Sequence, residues 1–400
     1  VEESLMSKTF CVLPWIHLAS HPNGGVSLCC RSNHNDAISW AKSTGSKDLL
    51  TLEKNSLEEI VNSETFTRVR SKMLEGTRPI ECEGCWKDED LGLESKRQYE
   101  NKRWSKVIPL LDKSSIIKSI DYRYIELRLG NLCNNACITC NSYSSSKWYK
   151  DEEFISKKLD WFELRPLENF KWFQDTKFYD NLFEVSKNVE EIYINGGEPT
   201  LITAHFNFLN RLIDQNKSGN VTLVYSLNLM SIPDRLIELW TKFKKVIVNC
   251  SIDDLEDRNY YIRWPTKWTD VISSLEKLNS LDNVEWHVTQ TVSLLNIDNL
   301  DEVYNWLKTR YNKVPHHNYV LYPTYLSLSA IPDDFKEQLR YYYVGKLDVN
   351  KHSELMQKLE IEHNPTLTKK AYDFLRTLDQ SRKLNYKDYL PHLDLVFESL

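Results

Sequence analysis

Three thiols fall within eight residues in Cys133-Asn-Asn-Ala-Cys137-Ile-Thr-Cys140. A loop of that length can wrap three sulfurs around one metal centre. Iron-sulfur clusters draw thiolates from such short spacings, and a cluster held wholly by protein takes four of them. Three ligands leave one iron open to an exogenous chelating molecule, to which the cluster can pass a single electron. Structural zinc is the rival occupant, because it also takes thiolates, but it needs a fourth ligand nearby. Neither Asn134 nor Asn135 is a natural one.

Eight of the nine cysteines lie in the first 140 residues, and Cys250 stands alone in an apolar stretch. Large intracellular domains do not need disulfide staples, so ligation is the leading use of these thiols. Phe10-Cys11 leads to Gly24-Gly25-Val26-Ser27-Leu28-Cys29-Cys30, and Glu81-Cys82-Glu83-Gly84-Cys85-Trp86 follows. Four of these sulfurs can close a second cluster with no open iron; a zinc knuckle is the alternative. Cys250 reads as a small buried hydrophobe. His17, His21, His34 and His287 receive no role, although alternation along a strand would allow His287 to face an interior.

These thiols need a scaffold. From about residue 122 the chain alternates strand-like and helix-like segments. Strands are expected at Tyr124 to Leu129, Glu191 to Asn195, Val221 to Ser226, Val246 to Ser251, Val284 to Ser293 and Tyr319 to Tyr325. Helical patterns lie between them, among them Phe206 to Asp214 and Trp268 to Leu278. Six such units predict an α/β fold, a partial (β/α)6 barrel of the TIM type, with functional residues at the C-terminal strand ends; a doubly wound sheet is the alternative. The expected division is a cysteine-rich module at 1–120, a barrel at 121–330 and a helical extension at 331–400. In the module one helix is expected from a Ser56 cap to Leu74, and in the extension Pro365 starts a helix that carries an Asp379 and Arg382 pair.

The cysteine loop directly follows the first strand. Tyr193-Ile-Asn-Gly196-Gly197-Glu198-Pro199 follows the second, where paired glycines let a ligand approach backbone and a carboxylate can accept from an ammonium. An ordinary strand-to-helix turn would read the same way. Cys-x3-Cys-x2-Cys and Gly-Gly-Glu-Pro on successive strands resemble the radical S-adenosylmethionine (SAM) superfamily. Asn228 resembles its ribose-contacting position. Ser251-Ile252-Asp253-Asp254, with Arg263 downstream, is similar to the Ser-Ile-Asp-Gly and Arg of peptide-modifying members. The resemblance implies a [4Fe-4S] cluster with an open iron on Cys133, Cys137 and Cys140. It also implies SAM held near Gly196, Gly197, Glu198, Asn228, Ser251, Asp253 and Arg263. Two departures stand out: Thr139 replaces the aromatic usual before the third cysteine, and Asp254 replaces a glycine.

The first 90 residues resemble the auxiliary-cluster modules called SPASM and twitch domains, here placed before the barrel. This implies a second [4Fe-4S] cluster on Cys11, Cys29, Cys82 and Cys85. Gly24 points to Cys29 and Gly25 equally to Cys30; Cys29 is preferred because Val26 then takes the family's apolar position. The implied activity is reductive cleavage of SAM to a 5'-deoxyadenosyl radical and hydrogen abstraction from a peptide or protein side chain, with a sugar or other small metabolite as the alternative. An external donor such as a flavodoxin or ferredoxin is the expected partner. A non-enzymatic zinc-binding scaffold is the reading from another class. A net charge of −6 offers no footprint for nucleic acid. No apolar run reaches the roughly 18 residues of a membrane span, so a cytoplasmic location is expected.

Overall fold

The computed structural model describes residues 8–34, 37–398 and 400. They form two compact units that interleave along the chain. The first runs to Asn131 and takes in Asn169–Tyr225 and Arg235–Val246; the second comprises Leu132–Glu168, Ser226–Asp234 and Ile247–Leu400. The fold is α/β with mainly parallel strands, as the alternation of segments predicts.

In the first unit, β1 (His17–Ser20) pairs antiparallel with β2 (Val26–Ser27) and parallel with β3 (Tyr124–Arg128). β3 pairs parallel with β4 (Glu191–Asn195), which pairs with β5 (Thr222–Leu227). The register stacks Leu18, Ile125, Ile192 and Leu223 in one row, all fully buried. Such a row of branched apolar side chains is what a sheet presents to covering helices. On β4 and β5 the alternate positions stay partly accessible, so the strands have one sealed face and one open face. The helices Thr176–Glu184 and Ala204–Asp214 bury Phe178, Leu182 and Phe183, and Phe208, Leu209 and Leu212, at helical spacing.

Within the first 120 residues, β1 joins the same sheet as β3. Four residues are too short for their alternation to reveal a strand. The single helix expected from Ser56 to Leu74 is two, Leu57–Val61 and Glu64–Leu74. The break falls at Asn62, whose side chain donates to the carbonyl of Ile117 and accepts from its N–H, both at 2.8 Å. Ser56 caps the first piece with a capping box, as its position suggested.

The second unit holds most of β6 (Lys245–Ser251), with β7 (Val284–Val292) and β8 (His316–Tyr319), the last two parallel. β8 ends where the sixth strand was expected to begin. Beyond it the chain turns through a cis Tyr322-Pro323 bond into a short 3-10 helix, Thr324–Leu326. Helices Asp333–Tyr342, Val349–Leu359 and Pro365–Arg382 supply Phe335, Leu355, Phe374 and Leu378 to a core that also takes Ile138, Trp148 and Ile262. Pro365 stands in the first helical turn, where its missing N–H costs nothing. Among the described residues no helix is long and apolar enough to cross a membrane.

Candidate metal centres

The loop from Cys133 to Cys140 has little regular structure, so it is held by hydrogen bonds to its backbone. Ala136 N–H donates to the carbonyl of Trp264 and Ile138 N–H to that of Ile262, both at 2.8 Å. Three side chains donate to loop carbonyls: Ser145 to Asn135 at 2.5 Å, Arg382 to Ala136 at 2.8 Å and Trp148 to Cys137 at 2.8 Å. Asn135 donates to Thr266 and to the carbonyl of Arg263. A loop fixed at successive peptide groups presents its sulfurs with little freedom left to lose on ligation.

Two of those sulfurs accept hydrogen bonds. Asn135 N–H reaches Cys133 Sγ at 3.4 Å and Asn135 Nδ2 reaches Cys137 Sγ at 3.9 Å. Such donors stabilise thiolate and tune a cluster. Burial raises the Cys140 thiol to about 12, and the neighbouring Cys137 and Cys133 add to the rise. Cys137 is raised by burial and drawn back by Arg263. Half-buried thiols that interact with one another beside a cation fit a centre that exchanges their protons for metal. Among the described residues no three His, Cys, Asp or Glu side chains form a ready-made site for a single metal ion.

Asn228 lies over this loop, donating to Asn134 at 2.7 Å and to Asn135 at 3.3 Å. Arg263 is buried and pairs through Nη1 with Asp253 at 2.9 Å. Its Nε is buried without a hydrogen-bond partner among the described residues, a donor a bound anionic group can use. Asp253 is wholly engaged by protein: its second oxygen accepts from Thr291 N–H at 2.8 Å, and its carbonyl accepts from Gln290 and Asn296. It therefore orients Arg263. Asp254 is buried against Arg258 and Asn299 at 2.7 and 2.6 Å, so the departure from glycine anchors the helix that follows. Ser251 is half-buried at the end of β6.

Gly196 and Gly197 lie in the first unit, at the end of β4. Gly196 has φ of 124°, and a Cβ there would sit 2.6 Å from the backbone N of Leu129, so only glycine fits. Gly197 N–H donates to the Gly130 carbonyl at 3.1 Å, tying the ends of β3 and β4. Glu198 is buried, and its Oε1 accepts from Thr200 N–H and hydroxyl at 3.1 and 2.8 Å, capping the turn.

The other thiols gather in the first unit. The Cys82 thiol is pushed well up by burial and by Cys29, Cys11 and Cys85; Cys11 is raised to about 12 by burial, with Cys85 contributing. Cys29, half-buried, interacts with Cys30 and, less strongly, with Cys11. Cys30 is exposed, and its charged neighbours are Glu126, Lys96, Arg128 and Glu100. Gly24, with φ of 80°, makes the turn between β1 and β2. The thiols of Cys11, Cys29, Cys82 and Cys85 thus interact with one another, and Cys29 interacts with Cys30 as well.

Residues 11–86 match SPASM, an iron-sulfur cluster-binding domain. The span opens on Cys11 and closes one residue after Cys85, which bears out the auxiliary module expected there. Comparison with curated proteins finds no match. Among solved structures, anSMEcpe with bound AdoMet is similar at 16% identity with a TM-score of 0.36, over 55% of this chain and 58% of that one. Streptococcus suis SuiB bound to precursor peptide SuiA is similar at 16% identity and 0.37, over 74% and 66%. The chain thus spans less than two thirds of either.

His287, considered for an interior position, is exposed and pairs with Glu285 at 3.0 Å. Asp379 and Arg382 do not pair with each other: Asp379 accepts from Tyr261 and Tyr386, and Arg382 binds Asp151. Residue spacing missed Asn135, Ser145, Trp148 and Arg382. Only Asn135, inside the cysteine loop, carried a local signal. A cavity of about 350 Å³ abuts Cys140, with Trp161, Phe162, Tyr325, Phe374, Arg165 and Lys370 among its walls.

Proposed function

We propose that the chain is a radical SAM enzyme with an auxiliary cluster, acting on a peptide or protein side chain. The observation that carries this reading is the pinned loop of three interacting thiols, flanked by the buried cation Arg263. When bound, the cluster and SAM supply one-electron cleavage of the sulfonium to a 5'-deoxyadenosyl radical that abstracts hydrogen from substrate. In this reading Cys133, Cys137 and Cys140 hold the open-iron [4Fe-4S] cluster, and Cys11, Cys29, Cys82 and Cys85 hold the second. Arg263, aligned by Asp253, offers its spare donor to the SAM carboxylate. Asn228 and Ser251 contact the ribose region, and Gly196, Gly197 and Glu198 receive the amino group. The aromatic walls beside Cys140 provide stacking faces for the nucleoside that Thr139 lacks. The likeness of Ser251-Ile252-Asp253 and Arg263 to peptide-modifying members favours a peptide over a sugar, and an external donor such as a flavodoxin or ferredoxin supplies the electron. The proposed division into module, barrel and helical extension follows these roles.

The test is anaerobic reconstitution with iron and sulfide, followed by assay for 5'-deoxyadenosine under dithionite. A brown protein that releases 5'-deoxyadenosine is expected, and replacing Cys133, Cys137 and Cys140 by Ala abolishes the release. A colourless, zinc-binding protein without product overturns the reading.

A further inference from the structure

Arg382 ends the helix Pro365–Arg382, with its side chain 2% exposed. Its guanidinium lies between two indole rings, 4.8 Å from the centroid of Trp148 and 4.8 Å from that of Trp264. Nε donates to one oxygen of Asp151 at 2.8 Å, and Ser381 donates to the other at 2.6 Å. Nη2 donates to the carbonyl of Ala136, midway along the cysteine loop. Nη1 is buried with no partner among the described residues. The loop is held a second time through the same group, because Trp148, whose face carries the cation, also donates to the carbonyl of Cys137. Burying an ion pair costs desolvation that its own attraction often fails to offset. A charge retained here therefore calls for a use other than stability.

We propose that Arg382 is a positioning residue that holds a fixed positive charge behind the Cys133-to-Cys140 loop and so eases the entry of one electron into the cluster bound there. This rests on the function proposed above. A one-electron reductant such as dithionite makes the cluster one charge more negative while Arg382 keeps its bonds and protons. A cation in a dry setting favours that reduced form. Asp151 offsets part of the same charge. The two side chains thus push the potential in opposite directions although they share one network.

The full-length chain, reconstituted anaerobically, is titrated with dithionite and followed by electron paramagnetic resonance; the signal that changes on adding SAM identifies the loop's cluster. Arg382→Gln is expected to lower the ratio of reduced to oxidised cluster at fixed potential about tenfold, about 59 mV for one electron. Asp151→Asn is expected to raise that ratio, and Arg382→Lys to restore most of the loss. A role limited to packing moves both neutralising variants the same way or neither, and either result overturns the proposal. If Arg382→Gln fails to retain iron, Asp151→Asn decides alone: a rise supports the proposal, and a fall or no change overturns it. A wild-type protein without a SAM-responsive signal overturns the radical SAM reading and this proposal with it. Unchanged potentials in a SAM-responsive cluster overturn this proposal alone.

Discussion

Arg263 and Asp253 show how a buried charge is kept ready for use. Asp253 spends one carboxylate oxygen on Arg263 and the other on the backbone of β7, so the guanidinium is aimed while its Nε stays unpaired. The thiols are the second residue-scale feature. Burial raises Cys11 and Cys140 from the ordinary 9.0 to about 12. Unfolded, they ionise near 9, so between about pH 9 and 12 the unfolded chain holds fewer protons than the folded one. Stability of the metal-free protein from these groups is present below pH 9 and lost as the pH rises toward 12. Urea unfolding of metal-free protein is therefore expected to show a lower midpoint at about pH 10 than at about pH 8, and the Cys11→Ala, Cys140→Ala double variant a shallower decline.

At the scale of elements, the short connections decide where the strands point. The break at Asn62 lets Glu64–Leu74 run in its own direction and fastens it to Ile117 through two hydrogen bonds. Arg70 on that helix, fully buried, donates to the carbonyls of Pro14, Val61 and Ser115, which ties the start of the chain to the approach to β3. Losing both Asn62 bonds leaves backbone groups of Ile117 unpaired, at a cost of about 1–3 kcal/mol each where they are buried. Asn62→Ala is expected to lower stability by at least about 1 kcal/mol, read from urea unfolding, with the helix content by circular dichroism nearly unchanged. The helix Pro365–Arg382 has a comparable part in the second unit, since its last turn reaches the cysteine loop and Asp151.

For the molecule as a whole, the two thiol sets belong to different compact units: Cys11, Cys29, Cys82 and Cys85 to the first, and Cys133, Cys137 and Cys140 to the second. Replacing Cys82 and Cys85 by Ala is expected to halve the bound iron and leave some SAM cleavage without product formation on substrate. Iron analysis with a 5'-deoxyadenosine assay checks this; a variant that retains its loop cluster yet cleaves no SAM contradicts the division of labour. The sequence alone was enough to anticipate the SPASM-like span and the alternation of strands and helices, because ligand spacing and apolar alternation are local properties of a chain. It could not reveal β1, whose four residues become a strand only against β3, nor the early end of β8. It offered Gly24 with Cys29 and Gly25 with Cys30 alike and preferred Cys29 for the place this gives Val26; in the fold Cys29 is half-buried beside both Cys30 and Cys11, and Cys30 is exposed. Arg382 is the extreme case: 246 positions separate it from the carbonyl it holds, and no local pattern marks a hydrogen bond that forms only when the tail helix packs on the loop.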